Sequence, residues 1–456
     1  MIVTASLALA GALILFTWLG LRARLADGGL DDYITARNSQ GAQAIGLSFL
    51  ASGMGAWILF APPEVGALVG PVALAGYAVG AALPFIVFAF CGPAIRRYLP
   101  EGRSIGEFAQ ACYGNGVRRW VAIISVLYML CFLTAELTAI GAITNLLSDL
   151  NGNIAVIAVA VTTLIYTAWG GLRASLETDR WQALLLLALL VVVAFVALPQ
   201  LPNAFDAAKL PDIPVTASLS VALTLVIAVT AANLFHQGYW QRLWAAEDDA
   251  ALGRGAMLGG GVTVLVVALV GALGIAASLS LDDIGTPPIP FFALLTQAPA
   301  WLGIVALVLA LCLVASSVDT LQNALASLAV TEKQGLSLTS ARWFTCLLMI
   351  PVVLIALQGY SVLRLFLIAD LLCATAVIPV LLGLWSRMTT PAAVAGALAG
   401  LVGAVLPGAV STGSMMAGLE AASFPGGIPT LAPYLGALCA STLVSVAVAL
   451  VAPKKR

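Results

Sequence analysis

Thirteen apolar stretches of spanning length, separated by short connections, constrain this chain more than any other feature of it. About 20 consecutive apolar residues are what a helix needs to cross the hydrocarbon core of a bilayer. The stretches run from about 2–21, 44–70, 71–95, 118–147, 153–169, 179–199, 216–244, 255–279, 300–329, 341–357, 360–385, 391–411 and 430–452. Composition agrees, with 61% of residues hydrophobic and 9% charged, where a soluble domain carries roughly a quarter charged. The connections alternate in basic content. One set holds Arg22, Arg24, Arg37, Arg96, Arg97, Arg103, Arg118, Arg119, Arg173, Arg180, Arg242, Arg254, Lys333, Arg342, Arg387, Lys454, Lys455 and Arg456, and the other holds Lys209 and Arg364. Lys and Arg near helix ends stay on the cytoplasmic side, so eighteen against two predicts an N-terminus outside and a C-terminus inside the plasma (inner) membrane. The first stretch lacks a basic leader and carries its Arg residues after the apolar run, which predicts an uncleaved span.

Setting aside the first stretch (2–21) and the last two (391–452) leaves ten, which divide into 44–199 and 216–385. Five is odd, so the second set enters the membrane from the opposite side to the first. Such inverted repeats place a binding site near the midplane, where the first helix of each half is interrupted. Ser52-Gly53-Met54-Gly55, followed by Pro62-Pro63, supplies an interruption in the first half. The span from 216 has no comparable Gly or Pro until Gly238, so an interruption is visible in one half only.

Other functions fit poorly. A net charge of −1 and one His offer no basic patch for nucleic acid. The seven Cys are scattered singly, without zinc or disulfide spacing. An enzyme in the membrane would need a metal or nucleophile cluster, a channel a selectivity filter and oligomer symmetry, and a sensor a signalling domain after the last span. The remaining expectation is a carrier whose partners are ions, lipid and a small polar organic solute, with no cofactor and no enzymatic activity.

Several segments, in order, carry a resemblance. They are Asp31-Asp32-Tyr33 to Ala36-Arg37-Asn38 with Ser48 to Ser52; Pro100-Glu101-Gly102-Arg103 to Glu107-Phe108 and Tyr113-Gly114; Tyr166 to Gly170-Gly171-Leu172-Arg173-Ala174 with Thr178-Asp179 and Gln182; Gln241-Arg242 with Ala245-Ala246; Ala315-Ser316-Ser317-Val318-Asp319-Thr320-Leu321; and Pro379 to Gly383-Leu384-Trp385. Together these resemble the sodium:solute symporter family. The resemblance implies an all-α, LeuT-like fold of two inverted five-helix repeats and inward Na⁺ flow coupled to solute uptake by alternating access. The run Gly238 to Arg242 is somewhat similar to the urea-transporting branch, but five residues do not choose a substrate.

Na⁺ prefers oxygen ligands, and Ser316 and Ser317 can supply them; alternatively each hydroxyl bonds back to the preceding turn. The resemblance implies a sodium site made by these two hydroxyls with the carbonyls of Ala51, Met54 and Leu313. Intramembrane acids are functional candidates by default. Asp319 shares a helical face with Ser316, and either neutralises cation charge or packs helices. Asp179 is either an end-of-helix partner of Arg173 and Arg180 or part of a cation exit path. Glu136 and Asp370 lie deep in their spans and could recognise a solute, carry a proton or pair with Arg364. That acidic excess keeps proton coupling open as an alternative. His236 is a packing residue or a solute contact. Trp57 and Ile58, after the first interruption, and Asn233, on the opposing helix, are the remaining solute-side candidates.

Overall fold

The computed structural model describes residues 2–23, 29–201, 210, 212–332, 337–359 and 363–451. It is all-helical, with 85% helix. Of the basic residues used for topology, Arg24, Lys209, Lys333, Lys454, Lys455 and Arg456 lie outside the described residues. Helix α1 (Ile2–Arg22) leads to α2 (Leu30–Thr35) and α3 (Ala42–Gly53), then a 3-10 turn (Ala56–Leu59) and α4 (Ala61–Val69). Next come α5 (Pro71–Tyr98), α6 (Ile105–Tyr113), α7 (Asn115–Leu147), α8 (Gly152–Ala197), α9 (Val215–Leu234), α10 (Gln237–Ala245) and α11 (Asp249–Ser280). The chain continues through α12 (Pro290–Leu295), α13 (Trp301–Glu332), α14 (Leu338–Leu357), α15 (Leu363–Leu381), α16 (Thr390–Thr412), α17 (Met415–Ala422) and α18 (Leu431–Val451).

Eleven of these helices are long and apolar enough to cross a membrane, or twelve when α3 and the helical stretch after it, bent by 66°, count as one span. The thirteen expected from the sequence depend on α8 making two crossings. As one straight helix its 46 residues would extend about 70 Å, more than twice a hydrocarbon core of about 30 Å. Gly171 interrupts it with φ 62° and ψ −146°. That backbone suits glycine, and a Cβ there would lie 2.3 Å from the Tyr33 carbonyl oxygen, so α2 rests directly on the break. The connection expected over 170–178 is therefore helical from Leu172 onward.

The connections expected to be loops carry the short helices α2, α6, α12 and α17. Ser104 shows why one of them forms: its hydroxyl accepts from the Glu107 backbone N–H at 3.1 Å, while the Glu107 carboxylate accepts from the Arg103 N–H at 2.7 Å, a reciprocal satisfaction of free N-terminal donors. Burial separates centre from rim. The most apolar window of α13 is 72% buried, against 22% for α1, 28% for α14 and 28% for α18. Chemistry placed on α13 is therefore held on all sides by other helices, while apolar residues such as Leu7, Phe90, Phe195 and Val410 are exposed on the outer surface.

Candidate functional site

Two broken helices meet at the centre. The first break, between α3 and the 3-10 turn, follows the glycines flanking Met54. Glu136 of α7 reaches into it, and its Oε2 accepts from the Ala56 N–H at 2.7 Å. A Cβ on Gly55 would sit 2.0 Å from the Glu136 Oε1, so only a residue without a side chain leaves room for the carboxylate. An acidic group at the start of a helical segment satisfies a free donor and suits its dipole.

The second break was not visible in the sequence. The expected span over 216–244 stops at Leu234, turns at Phe235 and His236, and restarts as α10. Side chains rather than glycine make this possible. His236 Nδ1 accepts from the Gly238 N–H at 3.1 Å, Trp240 Nε1 donates to the Leu234 carbonyl at 2.8 Å, and the Ser125 hydroxyl donates to the Phe235 carbonyl at 2.6 Å. Inside a membrane, freed backbone groups persist only when partners of this kind satisfy them. The two breaks touch, since a Cβ on Gly53 would lie 2.4 Å from the Tyr239 hydroxyl.

A fully buried polar network adjoins the breaks. Asp179, on α8, receives Arg242 Nη2 at 2.8 Å, the Ser48 hydroxyl at 2.6 Å and the Ser316 hydroxyl at 2.5 Å. Arg242 also donates to the Ser48 hydroxyl at 3.0 Å, the Gly238 carbonyl at 2.7 Å and the Thr320 hydroxyl at 3.0 Å. Asp319 receives hydroxyls from Tyr166 at 2.6 Å, Ser175 at 2.6 Å and Thr178 at 3.0 Å. Helices α3, α8, α10 and α13 are thus tied together. The Ser52 hydroxyl donates to the Ser48 carbonyl.

This arrangement corrects the expected partners of Asp179. It bonds neither Arg173, which pairs with Asp32 at 2.7 Å, nor Arg180. Arg242, counted from sequence as a loop charge, is 0% exposed, because its α10 turn folds back into the bundle. Ser316 does not bond to its own preceding turn; its hydrogen bond goes to Asp179. Ser317 is also buried, and its hydroxyl has no hydrogen-bond partner. Ala51, Met54 and Leu313 are each 1% exposed, and α3 and the 3-10 turn pack against α13.

Aromatic side chains also cluster around the two breaks. Trp57 stacks on Tyr77 with centroids 5.5 Å apart, and its Nε1 donates to the Gly53 carbonyl at 3.3 Å. Phe366 lies 5.7 Å from Tyr128 and 5.8 Å from Phe132, and His236 lies 6.2 and 6.0 Å from the same two rings. The Tyr128 hydroxyl donates to Asn233 Oδ1 at 3.2 Å. Ile58 is buried. Asp370, one turn after Phe366, is buried with Oδ1 unpartnered, as is His236 Nε2. The considered pairing of Glu136 or Asp370 with Arg364 does not occur: Arg364 bonds the Ser423 carbonyl at 2.8 Å and hydroxyl at 2.6 Å. Tyr77, Tyr128, Tyr239 and Arg242 are not among the site residues expected from sequence; Tyr239 and Arg242 carry a signal, as members of the run Gly238 to Arg242, and Tyr77 and Tyr128 carry none.

A fold of broken helices around a polar centre, with the rim facing lipid, defines a membrane carrier. The model of the sodium:solute symporter family matches residues 33–400, and the chain belongs to that family. It is 31% identical over 365 residues, 77% of this chain and 69% of the relative, to the spermidine transporter DUR31 of Candida albicans. Its fold is similar to that of a Na⁺-coupled sialic acid symporter solved in a substrate-bound outward-open state, with a TM-score of 0.80 over 99% of both chains at 15% identity. The nucleobase-cation-symport-1 family transporter Mhp1 in a closed conformation gives 0.59 at 14% identity, over 94% of this chain and 95% of that one.

Proposed function

We propose that this protein is a secondary active transporter of the plasma membrane that couples inward Na⁺ flow to uptake of a small organic solute, with its N-terminus outside and its C-terminus in the cytoplasm. Ser316 and Ser317 provide hydroxyl oxygens, and Ala51, Met54 and Leu313 main-chain carbonyls, for Na⁺; Asp179 and Asp319 line its path toward the cytoplasm. The observation that carries this reading is Ser317: a hydroxyl with no partner on the most enclosed of the spanning helices, which packs against α3 and the 3-10 turn. Leaving a buried polar group unmade is costly, and a cation that binds oxygen would satisfy it. The Ser316 hydroxyl donates its hydrogen bond to Asp179, which leaves that oxygen's lone pairs free for the same ion.

The solute occupies the site between Trp57, Ile58, Asn233, His236, Glu136 and Asp370. The fungal relative is named for spermidine, an organic polycation, and that name favours a cationic amine. The repeats 44–199 and 216–385 each open on a broken helix, as an inverted-repeat carrier requires. Melting of the purified protein in NaCl and KCl at equal ionic strength tests the cation site directly. Na⁺ alone is expected to raise Tm by linkage, and solute accumulation in proteoliposomes is expected to follow a Na⁺ gradient at constant pH. Accumulation driven equally by a pH gradient in Na⁺-free buffer would replace Na⁺ with protons.

A further inference from the structure

Four acidic side chains are buried at the centre, and they are not in equivalent positions. Asp179 has Arg242. Asp319 has four hydroxyl donors, Tyr166, Ser175, Thr178 and, at 3.5 Å, Thr320. Glu136 is committed to the first helix break through the Ala56 N–H, in the space that Gly55 leaves. Asp370 differs from all three: it is 4% exposed, its Oδ1 has no hydrogen-bond partner, and it forms no ion pair among the described residues. The nearest base along its own helix, Arg364, is held by Ser423.

What surrounds Asp370 also points one way. Tyr77, Tyr128 and Tyr434 lie within electrostatic reach of its carboxyl group. Trp57 stacks on Tyr77, and Phe366 lies 5.7 Å from Tyr128. The Tyr434 hydroxyl is already engaged with the Leu367 carbonyl at 3.0 Å, and that of Tyr128 with Asn233 at 3.2 Å, so these two rings offer faces and no free donor. Aromatic faces attract a cation within about 6 Å of the ring centroid, and a buried carboxyl group either stays protonated or takes a counter-charge. A neutral solute would leave the group protonated and gain no ion pair from it. An alkylammonium group would satisfy it and use the rings as well.

Resting on the carrier reading above, we infer that Asp370 is the anchor for an ammonium group of the solute, that the aromatic faces of Trp57, Tyr77, Tyr128 and Phe366 enclose it, and that Glu136, which borders the same site, supports the helix break and does not pair with the ammonium group. The solute class is therefore a primary or secondary alkylamine in its protonated form. The two carboxylates have separate roles, and substitution at each should have a different effect.

The test uses the full-length purified protein in detergent with Na⁺ present, reading Tm against spermidine, 1,4-diaminobutane and 1,4-butanediol, an uncharged analogue of the diamine. The amines are expected to raise Tm and the diol is not. Asp370→Asn is expected to weaken amine binding at least tenfold while keeping the shift caused by Na⁺ alone, Asp370→Glu to recover part of it, and Glu136→Gln to lower basal Tm more than amine affinity. The inference is overturned if the diol binds as the diamine does, if no amine shifts Tm in Na⁺, or if Asp370→Asn that retains its Na⁺ shift binds spermidine like the parent. The comparison of diamine with diol needs no variant and tests the solute class by itself, and Asp370→Glu, which keeps the charge but moves it, tests the anchor if Asp370→Asn does not fold: amine affinity equal to the parent's would overturn the assignment of Asp370. Absence of any Na⁺ shift in the parent would instead count against sodium coupling.

Discussion

Arg242 Nη2 and Asp179 Oδ2 lie 2.8 Å apart with neither side chain exposed, and this pair joins the restarted half of one broken helix to α8. Removing one member of a buried pair leaves the other uncompensated and costs about 3–5 kcal/mol, whereas replacing both costs much less. Asp179→Ala and Arg242→Ala are therefore each expected to lower stability by about that amount, and the double variant by far less than their sum. Urea or thermal unfolding of the four proteins measures the coupling; strict additivity would mean that the pair contributes nothing as a pair.

Ser317→Ala should separate fold from function. The Ser317 hydroxyl is unpartnered, so in Na⁺-free buffer its loss should leave Tm unchanged or slightly raised. With Na⁺, the variant should lose on the order of 1–3 kcal/mol of binding, about a 5- to 150-fold weaker apparent affinity. A Na⁺ titration followed by Tm reports both quantities. An unchanged Na⁺ dependence would assign the hydroxyl a packing role.

Topology can be read from exposed positions. Thr286→Cys and Gly413→Cys, both exposed, should react with an impermeant thiol reagent added outside intact cells. Gly116→Cys, also exposed, should react only after permeabilisation, because it follows the arginine-bearing end of α5. Labelling of all three from outside would contradict the charge-derived orientation.

The second break rests on a histidine cap. His236→Asn and His236→Ala both lose the ring that stacks on Tyr239 at 4.7 Å, but asparagine keeps a side-chain acceptor for the Gly238 N–H. The asparagine variant should be more stable than the alanine variant by about 1 kcal/mol, and equal unfolding midpoints would show that the cap does not hold the turn.

The apolar helices and the family were legible because hydropathy and motif order are local properties of a sequence, and the same motif order singles out Ser316-Ser317 as a candidate. The break at Phe235 and His236 was not, since it contains neither glycine nor proline and depends on Ser125 and Trp240, whose roles exist only after packing. Arg242 misled for a related reason. An arginine at the end of an apolar run ordinarily marks the membrane surface, and only the acid 63 positions earlier reveals that it turns inward. Glu136 and Asp370 looked equivalent as buried acids; Gly55, by receiving one of them, distinguishes the two. The connections gave no apolar signal strong enough to reveal α2, α6, α12 or α17.

The wide separation of the network's members along the chain sets an order of assembly at the ribosome. Ser48 emerges first, then Asp179, then Arg242, and Ser316 only 137 residues after the aspartate. At typical synthesis rates the 63 residues between acid and base take about 3–12 s, during which the nascent chain holds an acid without its base, a costly state inside lipid. Keeping that segment at the translocon until Arg242 arrives would spare the acid this exposure. The ion pair is then complete before α13 is made, and the hydroxyls proposed to receive sodium are the last of these groups to arrive.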